Sequence, residues 1–475
     1  MAFRIIPGEG PTPSRLCIIG SHPGREEERM GRPFVGITGR ELDQYLSHVG
    51  LRRADIFLTN LVKERPMSDK DIPDSLITRW APELIRELER VQPDYILACS
   101  SLVTEWITAG TEYEGMGLEM LHGLTLWHPG LQCFVIPSYH PASGLHESRA
   151  MLNVLRDVEA FARAIEGAHN TPQDEYPEPV YKHARHPGEV GWLHRVPLIG
   201  LDTEGTKHAP WSVQVSGRPG TATLVLAEST AAVAMISRIV GITKSPVYVH
   251  NSLHDRAVCR ALNLTLPEYP RTVDTMVVAY QLCDEPQGLK TLAWRHCGMR
   301  MQEYSEVVAP AQQQMSLNYL EAAHAIDWGA PEPIKVFKNG VWKDSTPWSI
   351  NRRLEKMIAD YRGVKPTELR AWFGTDAYPA GEVQESPVDL YARWAGVGKR
   401  KDPLTGAEIV DEEQQEAAAG VRERVEGELG PMPQATLADV PFEKALYYGC
   451  RDADAQARVS PILMRKHAEV LGGKE

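Results

Sequence analysis

The apolar and polar positions of this chain fall into two successive blocks. From Arg15 to about Gly167, short apolar runs (LCIIG, IFLTN, YILACS, CFVIP) alternate with amphipathic stretches such as ITRWAPELIRELERV. Short apolar runs bounded by polar turns predict buried strands, and apolar residues recurring every three or four positions predict helices that pack on them. The succession implies a parallel sheet with helices on its faces. The next stretch, AHNTPQDEYPEPVYKHARHPGE, is rich in Pro, charge and His and reads as an interdomain linker. A second β/α region runs through VPLIGLD, TATLVLA and SPVYVHN to an apolar helix, DTMVVAYQL. From roughly Met299 to Thr436 the pattern becomes charged, Pro- and Gly-punctuated and helix-like, as in NRRLEKMIADYR and DEEQQEAAAGVRERVEGEL. The expected organisation is a first domain over 1–168, a linker over 169–192 and a second domain over 193–475 with an insertion at about 299–436.

Composition narrows the class. A hydrophobic share of 43% and a charged share of 24% suit a soluble globular protein. No apolar stretch approaches the ~20 residues that span a bilayer, so no membrane partner is expected. The opening MAFRIIPGEGPTPSR lacks the basic region and apolar run of a secretory leader, which predicts a cytoplasmic protein. Seven scattered cysteines without a CxxC pair read as reduced, mostly buried thiols. The net charge of −12, from 51 basic and 63 acidic residues, argues against gripping duplex DNA by bulk electrostatics. It leaves nucleic acid open as a substrate, because a site that holds divalent metal through carboxylates is locally acidic.

Three segments concentrate the chemistry. In VPLIGLDTEGT, Asp202 and Glu204 end an apolar run that reads as a buried strand, and residues two apart on a strand share a face. Alone, the pair also fits two solvated acids in a loop. In SPVYVHNSLHDRAVCRALNL, Asp255 stands near a strand-to-helix junction, where open α/β sheets gather functional groups; a helix cap would use the same residue. In FEKALYYGCRDADAQARVSPIL, Tyr448 and Asp452 are four apart on one helix face, which also fits a surface acid beside a core tyrosine.

Taken in that order, the three segments resemble the exonuclease motifs of the DEDDy class, the proofreading domain of family A DNA polymerases. VDTMVVAYQL followed by GLKTLAWRHCG resembles the helix pair between that family's second and third motifs. The resemblance covers about 180–300 and 437–475. It implies an RNase H-like (DnaQ-like) fold and metal-dependent 3′→5′ hydrolysis. Asp202, Glu204, Asp255 and Asp452 would hold two divalent ions, Mg²⁺ or Mn²⁺, and Tyr448 would orient the attacking water. The residue types suit that role: in-line phosphodiester cleavage needs charge stabilised on the attacking and leaving oxygens, and two ions about 4 Å apart provide it. Such hard ions prefer carboxylate oxygen. A tyrosine of pKa near ~10 is a poor base at neutral pH, so Tyr448 positions rather than deprotonates. Asp255 and Tyr448 are about 190 residues apart, beyond an ordinary loop, so the insertion must have its own, largely helical structure. It would be a partner-docking or DNA-guiding surface, or a peripheral elaboration.

In the first block, IIGSHPGREEERMGRPFVGITGREL, LTNLVKERP and VIPSYHPASGL resemble family 4 uracil-DNA glycosylases in order and spacing over about 14–165. That resemblance implies a parallel-sheet α/β/α domain with a pocket for a flipped base. Phe34 would stack on the base, Asn60 would read its edge and His140 would stabilise it as it departs. The family's first motif carries an acid in GExPG. Here Ser21 stands at that place with His22 beside it, and Glu26, Glu27 and Glu28 occupy other places. The family's iron–sulfur cluster needs four cysteines including an N-terminal CxxC, so no cluster is expected. The domain would excise uracil, or be retained for uracil or single-strand binding, or serve as a docking module.

Together the resemblances imply the proofreading subunit of a split phage-type family A DNA polymerase, acting on single-stranded DNA or a primer 3′ end. The third motif lies about 20 residues before Glu475, so the polymerase is expected as a separate polypeptide, and for a phage the compartment would be the bacterial host cytoplasm. One alternative is a uracil-DNA repair enzyme that combines base excision with 3′ trimming. Another is a non-catalytic replisome scaffold. The same acids also serve RNA 3′ processing, so the DNA preference rests on the glycosylase-like neighbour.

Overall fold

The computed structural model describes residues 4–68, 72–145, 148–283, 285–326, 334–338, 341–345, 400–401, 408–409, 423 and 425–472. Residues 1–301 and 449–475 form one compact unit, and 302–448 form a second.

In the first unit, strands β1 (Leu16–Gly20), β2 (Phe57–Asn60), β3 (Tyr95–Cys99), β4 (Leu126–His128) and β5 (Cys133–Ser138) make a sheet of order β2-β1-β3-β5-β4. Its helices are α1 (Arg25–Met30), α2 (Ile37–His48), α3 (Asp74–Val91), α4 (Ser101–Thr108), α5 (Leu118–Leu121) and α6 (Ser148–Ile165). Alternate strand residues serve opposite cores. Ile18, Leu58, Leu97 and Ile136 meet Leu42 and Leu46 of α2 and Val154, Val158 and Phe161 of α6. Cys17, Ile19, Phe57, Ile96 and Ala98 meet Leu84 and Leu88 of α3 and Val103 and Ile107 of α4. Burial on both faces is why these strands read as unbroken apolar runs. The sheet is parallel except at its edge, where β4 runs antiparallel to β5. Residues 129–132 separate those two strands, too few for a crossover.

The second sheet contains β6 (Val180–His183), β7 (Ile199–Gly205), β8 (Pro210–Arg218), β9 (Thr221–Leu226), β10 (Val247–Val249) and β11 (Thr272–Asp274), in the order β11-β10-β7-β8-β9-β6. β7, β8 and β9 form an antiparallel meander. β10 and β11 continue parallel to β7, reached through α7 (Thr230–Ile242) and α8 (Ser252–Ala261). A three-strand meander followed by two parallel strands is the RNase H-like arrangement that the motif resemblance implies. β6 adds a sixth strand, parallel to β9, and comes from the stretch read as a linker. Its neighbours Asn170 and Thr171 also bond to the first block: Asn170 Nδ2 donates to Gly123 O at 2.7 Å, and its Oδ1 accepts from Thr125 N at 2.8 Å.

After β11 come α9 (Thr275–Leu282), α10 (Leu289–Cys297), α11 (Tyr304–Ala325) and α12 (Phe442–Val470). α9, α10 and the 455–463 part of α12 share a core with Tyr248 and Val273. α10 joins the two sheets: Trp294 packs with Tyr113, Leu121, Leu124 and Leu126, and Arg295 Nη1 donates to His122 O at 2.7 Å. The second unit contains α11, where Gln312 bonds to Pro433 O and Ala435 N, and Tyr319 bonds to Gly430 O. Most of the segment expected as a largely helical insertion lies outside the described residues. A hairpin of Ile334–Lys338 and Val341–Ser345 is among those that are described. No described helix is long and apolar enough to cross a membrane.

One buried ion pair braces the end of β2. Lys63 Nζ donates to Glu87 Oε2 at 2.6 Å and to Asn60 O at 2.7 Å, and Glu87 Oε1 accepts from Gly8 N at 2.9 Å. The Lys63 side chain is 0% exposed and that of Glu87 3%. Removing one member of such a pair strands the other charge and costs about 3–5 kcal/mol. Lys63→Met is therefore expected to destabilise the first block by that amount in denaturant unfolding. Adding Glu87→Leu should recover most of the loss, and failure to recover would remove the pair from the account.

Candidate active site

The sheet face that meets α12 is set by Gly200. A Cβ there would come within 2.5 Å of Ala453 O, so only glycine lets the helix backbone lie directly on β7. Asp202 and Glu204 follow at two-residue steps on that face, and Asp452 immediately precedes Ala453. One carboxylate oxygen each from Asp202, Glu204 and Asp452 lies within 4.8 Å of the others.

Asp255 approaches from α8. It is 1% exposed, and its Oδ1 accepts from Thr203 Oγ1 at 2.8 Å, while Oδ2 is buried with no hydrogen-bond partner among the described residues. It does not cap the helix. Asn251 at φ 64° opens α8 in the left-handed region, and Asp274 clamps that turn by accepting from Ser252 N at 2.7 Å and Asn251 N at 3.2 Å. Asp274 also caps α9 through Met276 N at 3.0 Å.

Burial, and then proximity, raises the proton affinity of these acids. Burial, then Asp452, Asp255 and Glu204, lift Asp202 well above the carboxylate range. Burial, then Asp452 and Asp255, push Glu204 up to about 8, with Lys290 of α10 pulling the other way. Burial carries Asp255 to about 7, assisted by Asp274 and Asp452 and opposed by the Thr203 hydrogen bond. A buried carboxylate oxygen without a donor, in an all-oxygen cluster whose charges disfavour one another, fits a hard divalent cation. Asp202, Glu204 and Asp452 can hold such an ion; Asp255, the fourth acid expected there, is not part of that close group, although its charge is felt by Asp202 and Glu204.

Tyr448 lies four residues before Asp452 on α12. It belongs to the second unit, where its ring packs edge-on against Tyr304 with centroids 6.0 Å apart. Sequence reasoning overlooked Thr203, Asp274 and Lys290. Nothing in a lone Thr, Asp or Lys announces a supporting role before the chain folds. It also left Asp454 unassigned. That residue is fully buried and accepts from Tyr181 Oη at 2.9 Å and Gly220 N at 2.8 Å, and it pairs with Arg458 at 2.8 Å. It ties β6 and the β8–β9 turn to α12. Helix geometry carries the distinction, since residues two apart are about 200° apart around the axis, so Asp454 faces away from Asp452.

The glycosylase-like residues gather at the end of β1. At Gly20 a Cβ would strike Asn60 Oδ1 and come within 2.7 Å of Phe34 Cζ, so both side chains close over the bare glycine. Phe34 adopts φ 52°, and Arg53 Nη1 holds its carbonyl at 2.7 Å. His140 Nδ1 accepts from Ala142 N at 3.3 Å, which leaves the ring proton on Nε2. Burial first, then the neighbouring His22, lowers its pKa to about 4, so it is a neutral donor at physiological pH. The peptide before it is anchored, because Tyr139 N donates to Asp157 Oδ2 at 3.1 Å and Asp157 Oδ1 bonds to His122 Nδ1 at 2.8 Å. His122 is the residue whose carbonyl receives Arg295.

Ser21 is 9% exposed. The three nearby glutamates do not replace the missing acid. Glu27 accepts from Val35 N at 3.0 Å, Gly36 N at 2.8 Å and Gly24 N at 3.1 Å, bracing the loop with both oxygens. Glu26 pairs with Arg29 at 2.9 Å, and Glu28 with Arg65 at 3.6 Å.

An α/β/α layer thus brings Phe34, Asn60 and His140 to the end of the strand that finishes at Gly20. Residues 7–163 match the family model of the Uracil DNA glycosylase superfamily, and the chain belongs to that superfamily. A type-4 uracil-DNA glycosylase of Saccharolobus solfataricus is 33% identical over 144 residues, 30% of this chain and 67% of that protein. One of Thermotoga maritima is 30% identical over 162 residues, 33% of this chain and 80% of that protein. Among solved structures, the EXD2 exonuclease domain soaked in Mn and Mg aligns with 42% of this chain and 99% of that chain. It is 13% identical with a TM-score of 0.19, too slight a likeness to bear on the second sheet.

The raised acids dictate a pH response. From about pH 4 to 8 the folded, divalent-free chain keeps protons on Glu204 and Asp255 that the unfolded chain has already released, so this contribution to stability falls as pH rises. Thermal melts in EDTA should show it, and Mn²⁺ should raise Tm more at pH 8 than at pH 5. Asp202→Asn with Glu204→Gln should flatten both effects; an unchanged Mn²⁺ response would place the ion elsewhere.

Proposed function

We propose that the second block is a metal-dependent 3′→5′ DNA exonuclease that proofreads for a separate DNA polymerase polypeptide, as in a split phage-type family A replicase. The observation that carries the hydrolytic reading is the cluster of Asp202, Glu204 and Asp452, whose carboxylate oxygens lie within 4.8 Å of one another, with the buried, donorless Asp255 Oδ2 as a further acid that feels Asp452. The direction of cleavage and the polymerase partner rest on the motif resemblance. Asp202, Glu204, Asp255 and Asp452 would hold two divalent ions, Mg²⁺ or Mn²⁺. Bound there, the ions supply charge stabilisation to the attacking and leaving oxygens of the phosphodiester. Thr203 holds Asp255 in place, Lys290 offers a cation to a phosphate oxygen beside Glu204, and Tyr448 orients the attacking water.

With Mn²⁺ the full chain is expected to shorten single-stranded DNA stepwise from its 3′ end. Asp202→Ala with Glu204→Ala should abolish the shortening, and Tyr448→Phe should slow it by about 10²-fold through lost positioning. Digestion that persists in the double variant would mean the wrong site. Adding the chain to a family A polymerase should lower that enzyme's error rate, and an unchanged rate would end the proofreading role.

For the first block, the three hydrogen bonds taken by Glu27 favour a pocket that recognises uracil but lacks an acid to activate water. Uracil-containing single strands should bind in a His140-dependent way with little free uracil released. Ser21→Glu should raise release by on the order of 10²-fold, the usual scale of a general base. Rapid release by the parent chain would instead favour the repair enzyme that excises and trims.

A further inference from the structure

A second concave site lies on the opposite face of the second sheet. Val215, directly across from Thr223, belongs to the core on the face away from Gly200 and Asp202, and Lys182 is directly across from Thr223 on β6. Directly opposed residues share a face. The resulting cavity, about 730 Å³, is walled by β6, β9, the end of β8 and the 3-10 segment Pro187–Arg195. It is therefore separated from the carboxylate cluster by the thickness of the sheet.

Its lining differs from the rest of this acidic chain. Lys182, His194, Arg195 and Arg218 line it, and no carboxylate does. None of the three cations makes an ion pair among the described residues, whereas elsewhere arginines such as Arg15, Arg32, Arg52 and Arg458 are paired. Unpaired cations around a concavity with low-dielectric walls focus a positive field where the chain as a whole carries −12. The other prominent wall is Trp192, half-buried and held against β8 at Gly217, where a Cβ would lie 2.9 Å from Trp192 Cζ3 and 2.5 Å from Val196 Cγ1. A fixed indole beside three cations suits a flat ring attached to a phosphate, and the volume falls within the ~300–1,000 Å³ of small-ligand pockets.

We infer that the cavity between β6 and the Pro187–Arg195 segment is a nucleotide-binding site, with a phosphate on Lys182, Arg195 and Arg218 and a base against Trp192. The nucleotide comes either from a single strand or from free nucleoside 5′-monophosphate, and both present the same phosphate and base. The site stands independently of the hydrolytic reading of the acids.

The test uses the full chain carrying Asp202→Asn and Glu204→Gln, in EDTA, with a short fluorescent oligodeoxyadenylate read by anisotropy. Adenine avoids the uracil-like pocket. Lys182, Arg195 and Arg218 are exposed, so their triple replacement by alanine should fold normally. It should weaken binding at least ~10-fold and reduce the slope of log affinity against log salt by about 2, as expected for three lost phosphate contacts on a single strand. Trp192→Leu should weaken the oligonucleotide while leaving the salt slope unchanged. Competition by dAMP would assign the site to free monophosphate as well, and binding of the oligonucleotide alone would assign it to a strand. Either result supports the inference. Parent-like binding by the triple variant would overturn it. So would equal competition by inorganic phosphate, which needs no ring, or by polyglutamate, which would make this a site for an acidic protein segment.

Discussion

Four carboxylates at one end of a sheet repel one another, and the second block is organised around holding them there. Two like charges about 4 Å apart oppose each other by about 4 kcal/mol at an effective dielectric of 20. Burial first, and that repulsion second, is why Glu204 and Asp255 keep protons to near-neutral pH. Packing opposes it. α12 lies on the bare Gly200, Ala455, Val459 and Leu463 fill the core beneath, and Asp274 locks the turn from which α8 delivers Asp255. The mutual repulsion of the acids is thereby borne by a rigid frame, which is what holding them for a metal ion would require.

The same frame reaches the first block. α10 presents Lys290 toward Glu204 and, a turn and a half later, Arg295 toward His122. From His122 the hydrogen bonds continue through Asp157 to the peptide that precedes His140. The two sheets are consequently parts of one compact unit, and the loop that carries His140 is buttressed by a helix of the second block. Glu27 illustrates a different constraint. An acid a few residues after Ser21, where the family motif carries its acid, has both oxygens taken up by loop N–H groups, so proximity along the chain does not substitute for position.

Much of the architecture was legible in the pattern of residues. Both-face burial makes β1, β3, β5, β7 and β10 conspicuous apolar runs, and the helices that cover them carry the expected periodicity. The short strands β4 and β11 were not read, and β8 and β6 show why some strands are not legible. β8 carries Ser212, Gln214 and Ser216 on its α12 face, all 0% exposed, so a buried strand looks polar in sequence; Gly449 of α12 packs against Gln214 and makes the burial possible. β6 is an edge strand set among prolines and charges, with alternating exposed and half-buried residues, and it resembles a linker until β9 pairs with it.

Local rules therefore identified the acids as candidates. The two-residue step of a strand puts Asp202 and Glu204 on one face, and the four-residue step of a helix aligns Tyr448 with Asp452. These are properties of a few neighbouring residues and hold wherever the segments lie. Which oxygen lacks a donor, which acid braces a loop, which aspartate of the DAD triplet joins the cluster, and where unpaired cations meet an indole are different in kind. Each depends on groups from distant parts of the chain arriving within hydrogen-bonding or van der Waals range, and only the packed sheets and helices decide that.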